Sequence, residues 1–116
     1  MSTNNHAISE HFENRTPEVK ATYAAILNAA KKLGQITEEA KKTSIHLVRK
    51  TAFAGIATRK SVLILTLKSD ADIMSERISK REQVSAHRWH LETRLEKPAQ
   101  VDKEIQLWLK RAYELS

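Results

Sequence analysis

Apolar positions along the chain follow two different periods. Between Val19 and Leu33 they recur every three or four residues, at Val19, Tyr23, Ile26, Leu27, Ala30 and Leu33, the spacing that lines one face of a helix. Thr16-Pro17-Glu18 comes just before: a hydroxyl residue in the N-cap position, a proline whose missing amide needs no partner in the first turn, and an acid near the positive end of the helix dipole. A helix is therefore predicted from about Pro17 to Leu33, with Phe12 folded back on its first turns and Gly34 as its left-handed stop.

From Thr43 the period shortens towards two. Thr43 to Arg49, Ala52 to Ala57 and Ser61 to Lys68 are rich in β-branched and aliphatic residues and read as strands, the last two joined by a short hairpin at Thr58-Arg59-Lys60. Glu76 to Val84 predicts an irregular strand around Ile78, and His87 to Leu95 a final, cleanly alternating one. Pro98 then opens a second helix whose apolar face is Val101, Ile105, Trp108, Leu109 and Ala112, running to Leu115. Gln35 to Lys42 is polar and reads as a connection, with a single helical turn at Thr37-Glu38-Glu39-Ala40.

The order α-β-β-β-β-(β)-α predicts an α+β domain, an antiparallel sheet of four to five strands with the N-terminal and C-terminal helices packed on one face. The 116 residues suit one core and are too few for two. A single domain is expected over residues 11–116, behind a polar, flexible tail at residues 1–10.

Residues two apart on a strand share a face. The helix-covered face is then expected to hold Ile45, Leu47, Leu63, Leu65, Leu67, Trp89, Leu91 and Leu95. The opposite face carries Ser44, His46, Val48, Thr66, Lys68, Arg88, His90, Glu92 and Arg94. That polar face is either a solvated sheet surface or a binding surface.

Charge favours the second reading. The net charge is +6, an excess that draws polyanions, and residues 41–60 hold Lys41, Lys42, Arg49, Lys50, Arg59 and Lys60 with no acid. A ligand surface is accordingly expected around Lys42, His46, Lys50, Arg59, Arg88 and His90, taking nucleic acid or another anionic ligand. Phe53 or Trp89 serve as stacking groups if exposed; as core residues they serve none, and the lysines then only protect an edge strand. A protein partner or a homodimer through the sheet face or edge is the alternative.

With no cysteine, disulfides, thiolate nucleophiles and cysteine metal cages are excluded, and a reducing cytoplasm is the expected compartment. No apolar run nears the roughly 20 residues that span a bilayer, and no signal-peptide h-region is present, so no membrane role is expected. There is no Gly-rich phosphate loop, nucleophile elbow or His-Glu-x-x-His. Binding rather than catalysis is expected, without a cofactor. His87 and His90 lie three apart, a spacing that points them to opposite faces of a strand and argues against a shared metal.

Lys41-Lys-Thr-Ser-Ile-His-Leu-Val-Arg-Lys50, Phe53-Ala54, Arg59-Lys60, Arg88-Trp-His90 and Val101-Asp-Lys-Glu-Ile-Gln-Leu-Trp-Leu-Lys-Arg-Ala-Tyr113 together resemble a bacterial domain-of-unknown-function family, numbered 5655, over about Phe12 to Leu115. No activity comes with the resemblance. Domains similar to it stand alone or at the ends of larger proteins, nuclease-like restriction components among them, which implies an accessory binding module.

Overall fold

The computed structural model describes residues 7–116. The first helix, α1, spans Pro17–Lys31, and the second, α2, Lys103–Glu114. Between them run β1 (Thr37–Ala40), β2 (Ile45–Val48), β3 (Ala52–Thr58), β4 (Leu63–Ser69), β5 (Ile78–Ser85) and β6 (Arg88–Leu95). They form one antiparallel sheet in the order β1-β2-β3-β4-β6-β5. The sheet has six strands rather than four to five, because Thr37–Ala40, expected as a turn of helix, extends along β2 as an edge strand. Lys41 N donates to Ser44 O at 2.7 Å, closing the turn that folds β1 back.

The core lies between the helices and one sheet face. Ile45, Leu47, Ile56, Leu63, Leu65, Leu67, Leu91 and Leu95 meet Val19, Tyr23 and Ile26 of α1 and Ile105, Trp108 and Leu109 of α2, all buried. Trp89, at the rim of this face, is only partly buried against the cluster. Phe53 and Ala54 are both buried although adjacent. The register explains this: Leu47 pairs with Ala54 and Val48 with Ala52, so Phe53 is an extra, bulged residue. A bulge turns two neighbouring side chains towards one face. Phe53 therefore packs edge-on against Tyr113 of α2, ring centroids 5.3 Å apart, which excludes it as an exposed stacking group.

Each helix departs from expectation at one end, α1 where it stops and α2 where it starts. Thr16 holds the N-cap position of α1 without a side-chain cap bond, and the helix stops at Lys31, where Lys32 N and Leu33 N close its last turn on Asn28 O and Ala30 O. Gly34 lies beyond, at φ 154°. A Cβ there would run into the Tyr113 hydroxyl, which donates to Gln35 O at 3.2 Å. Pro98 opens only a 3-10 turn, Pro98–Gln100; α2 starts after Asp102, whose carboxylate accepts from Ile105 N. A carboxylate is the stronger start signal because it satisfies an amide and meets the dipole at once.

Polar clasps tie the remaining segments down. Arg77 leads into β5 and grips the start of α2, with Nη1 2.9 Å from Asp102 Oδ1 and 3.0 Å from Glu104 Oε1, and Nη2 2.7 Å from Gln100 O. The Arg77 hydrogen bond, then that from Ile105 N, holds the Asp102 carboxyl below its ordinary value. Tyr23 donates to Glu38 Oε1 at 2.6 Å. Burial, then this bond and the carboxylate's charge, push the Tyr23 hydroxyl well above its ordinary value. Of the segment expected as a tail, residues 1–6 lie outside the described residues. Ile8–Phe12 form a 3-10 helix in which His11 is buried with Nε2 2.8 Å from Lys41 O, and Thr58 Oγ1 donates to His11 O. Phe12 does fold onto α1, 5.3 Å from the Tyr23 ring. Among the described residues no helix is long and apolar enough to cross a membrane.

Candidate functional site

The sheet face turned away from the helices carries a shallow trough. Its floor is β3, where the bulge puts Ala52, Gly55 and Ala57 on this side while their larger neighbours face the core. Pairing fixes the walls. His46 of β2 stands opposite Gly55, Gly55 opposite Thr66 of β4, and Lys68 of β4 opposite His90 of β6. The resulting cavity, about 280 Å³ and open to solvent, is lined by these residues together with Ser44, Phe53, Ala54 and Ile56.

Gly55 leaves open space on the trough floor. Glycine in a strand interior is destabilising by about 0.5–1 kcal/mol relative to alanine, so it normally answers a backbone need. No left-handed backbone requires it here. Its φ is not positive, and an added Cβ would meet only His46 Cδ2 and Thr66 Cβ, each at 3.9 Å. What the missing side chain leaves is space, a common mark of close approach by a ligand.

Two of the six residues expected to form the site, His46 and His90, do line the trough. They stand on β2 and β6 with β3 and β4 between them, three strand spacings, or about 14 Å. That separation rules out a shared metal ion. His90 Nδ1 instead faces Glu82 Oε1 across β5 at 4.0 Å, and His46 stands opposite Glu39 of β1. Among the described residues no group of three or more histidines and carboxylates is placed to hold a metal.

The other four are distributed around the sheet. Lys42 and Arg59 occupy the β1–β2 and β3–β4 turns, at one end of the sheet; Lys50, in the β2–β3 turn, and Arg88, at the start of β6, occupy the other. Seven residues of β3 separate the ends, about 20 Å at ~3.3 Å per residue. The run of basic residues at 41–60 is thus two clusters instead of one patch, because the hairpin that joins them reverses the chain. Several of these cations are also engaged. Lys41 pairs with Glu39 at 3.3 Å. Arg49 lies 4.6 Å over the Tyr113 ring and donates to Tyr113 O.

Lys68 is the cation the trough does hold. It was assigned to this face by alternation but not to the site, because it ends an aliphatic strand and no charge run marks it. Its Nζ donates to Thr51 Oγ1 at 3.0 Å, which fixes the ammonium at the Ala52 end of the floor. Lys50 and Arg88 lie at this same end, so positive charge gathers on one side of the trough. Further out the face is mixed: Glu39, Glu82 and Glu92 are interleaved with Lys80 and Arg94. The run of small residues Ala52, Ala54, Gly55 and Ala57 inside a strand was the one sequence signal for the floor.

No curated protein and no solved structure matches the chain. Over residues 8–116 it matches the sequence profile of the domain of unknown function DUF5655, and with nearly its whole length so covered, the chain belongs to that family.

Proposed function

We propose that the domain is a non-catalytic binding module whose trough receives an anionic ligand with a flat, partly apolar body. The observation that carries this reading is Gly55: a glycine whose φ and neighbours would admit a side chain, on the floor of the concave open face. The floor of small residues accepts a flat group, and Lys68, with His46 and His90 on the walls, supplies donors for its anion. A nucleotide or the exposed end of a single strand has this chemistry. The three interleaved acids disfavour tracking of a long phosphate backbone, which needs an unbroken positive surface.

The test is binding of nucleoside phosphates, followed by calorimetry, and of a labelled single-stranded oligonucleotide, followed by fluorescence anisotropy, at low and moderate salt. Wild type is compared with Gly55→Val and Lys68→Glu. Binding that weakens with salt, as released counterions require, and that both substitutions abolish supports the trough. Binding indifferent to Gly55→Val removes it, as does failure of wild type to bind any of these probes. A preference for the oligonucleotide over the free nucleotide would identify nucleic acid as the ligand class.

A further inference from the structure

The two edges of the sheet are built differently. β1 has four residues, Thr-Glu-Glu-Ala. β5 has eight, of which all but Ile78 are exposed, and it pairs only with β6. A long exposed edge presents unpaired amides and carbonyls, a template for another strand. Two of the three exposed large apolar side chains among the described residues lie at its ends, Met74 just before β5 and Val84 near its close.

We infer that β5 pairs with β5 of a second copy of this chain, antiparallel and about a twofold axis, joining two six-stranded sheets into one. Residues opposed across such a pair must share a face. Lys80 and Glu82 lie on the trough side, opposite Glu92 and His90, whereas Arg81 lies on the core side, opposite Leu91. A register centred on Arg81 meets the requirement and sets Lys80 of each copy against the partner's Glu82, twice. Centring on Glu82 or on Lys80 would set that residue against itself.

Arg81 faces its own copy in this register, but its charge is already met, Nε being 2.9 Å from Asp72 Oδ1. The bulges at the two ends of β5 leave Lys80 to Gln83 regular, and the complementary pairs fall inside that stretch. The Val84 end of one strand then comes to the Ile78 end of the other, near Met74. The same operation on β1 fails. Centred on Glu38 it opposes Thr37 to Glu39, and centred on Glu39 it opposes Glu38 to Ala40, so neither register sets opposite charges against each other.

One strand pair buries little area, so association depends on concentration. The test is sedimentation velocity over a concentration series for wild type, Lys80→Glu, Glu82→Lys and an equimolar mixture of the two variants, with circular dichroism to verify their fold. Wild type should move from one chain towards two. Each variant places like charges across the junction and should associate at least about tenfold more weakly. In the mixture one copy carries acids at both positions and the other lysines, so wild-type association should return. A wild type monomeric throughout, variants that associate like wild type, or a mixture that stays monomeric overturns the inference.

Discussion

The two faces of one sheet are opposite solutions to the same backbone. The covered face is filled by large aliphatic residues with almost no exposure, whereas the open face is lined by small and polar ones around a trough. β3 contributes to both: Phe53, Ala54, Ile56 and Thr58 are buried, and Ala52, Gly55 and Ala57 are the trough floor. Burial of apolar area stabilises one face. On the other, Gly55 leaves space that a larger side chain could occupy.

The sharpest way to break this contrast is to make the covered face small. Leu65 is fully buried, and Leu65→Ala should lower unfolding free energy by about 2–5 kcal/mol, read from denaturant titration. Thr66→Ala on the adjacent open face should change it by under about 0.5 kcal/mol. Comparable losses would refute the assignment of faces.

Next in size is the polar flaw on the covered side. Thr93 Oγ1 is buried without a hydrogen-bond partner among the described residues. Thr93→Val removes it at nearly constant shape and should stabilise by about 1–3 kcal/mol. A lower melting temperature would mean the hydroxyl is satisfied after all.

The helix layer that distinguishes the faces is held by Asp102. Asp102→Ala should destabilise by about 0.5–2 kcal/mol as its cap on Ile105 N is lost. Because the folded-state value is depressed, the carboxylate's contribution is full above its ordinary value of 3.8 and disappears as pH falls through the lower folded value. Wild type should therefore lose more stability than the variant on acidification below that point, a small difference because the pair is half exposed. Equal acid sensitivity would show that the Arg77–Asp102 pair contributes nothing.

The smallest effect has the opposite sign. Gly55→Ala should stabilise by about 0.5–1 kcal/mol, measured by thermal melts, while narrowing the trough. A loss of stability would mean that the backbone needs its glycine.

Much of this contrast was legible in the alternating strands. Leu63, Leu65 and Leu67 announced the core, and Thr66, Lys68, Arg88 and His90 the other side. β3 was not legible in this way, because the bulge at Phe53 breaks period two and leaves two buried residues in a row. β1 was missed because Thr-Glu-Glu-Ala has one small apolar side chain, Ala40, and so no alternation; it is a strand because β2 offers it hydrogen bonds. The site was half legible. Alternation placed the histidines on one face, but charge counted along the chain could not reveal that turns send Lys42 and Lys50 to opposite ends. Lys68 was passed over for the same reason, since proximity to the trough is a matter of strand neighbours.

The position of β6 between β4 and β5 has a kinetic consequence. β5 and β6 are joined by the two residues Ala86 and His87, a hairpin that closes in microseconds, whereas the β4–β6 seam pairs Leu63 with Leu95 and must wait for that distant segment. The hairpin can therefore close before the β4–β6 seam forms, and can leave that seam as one unit. Amide exchange should follow the same seam, slow in β3 and β4 and faster, at a common rate, in β5 and β6.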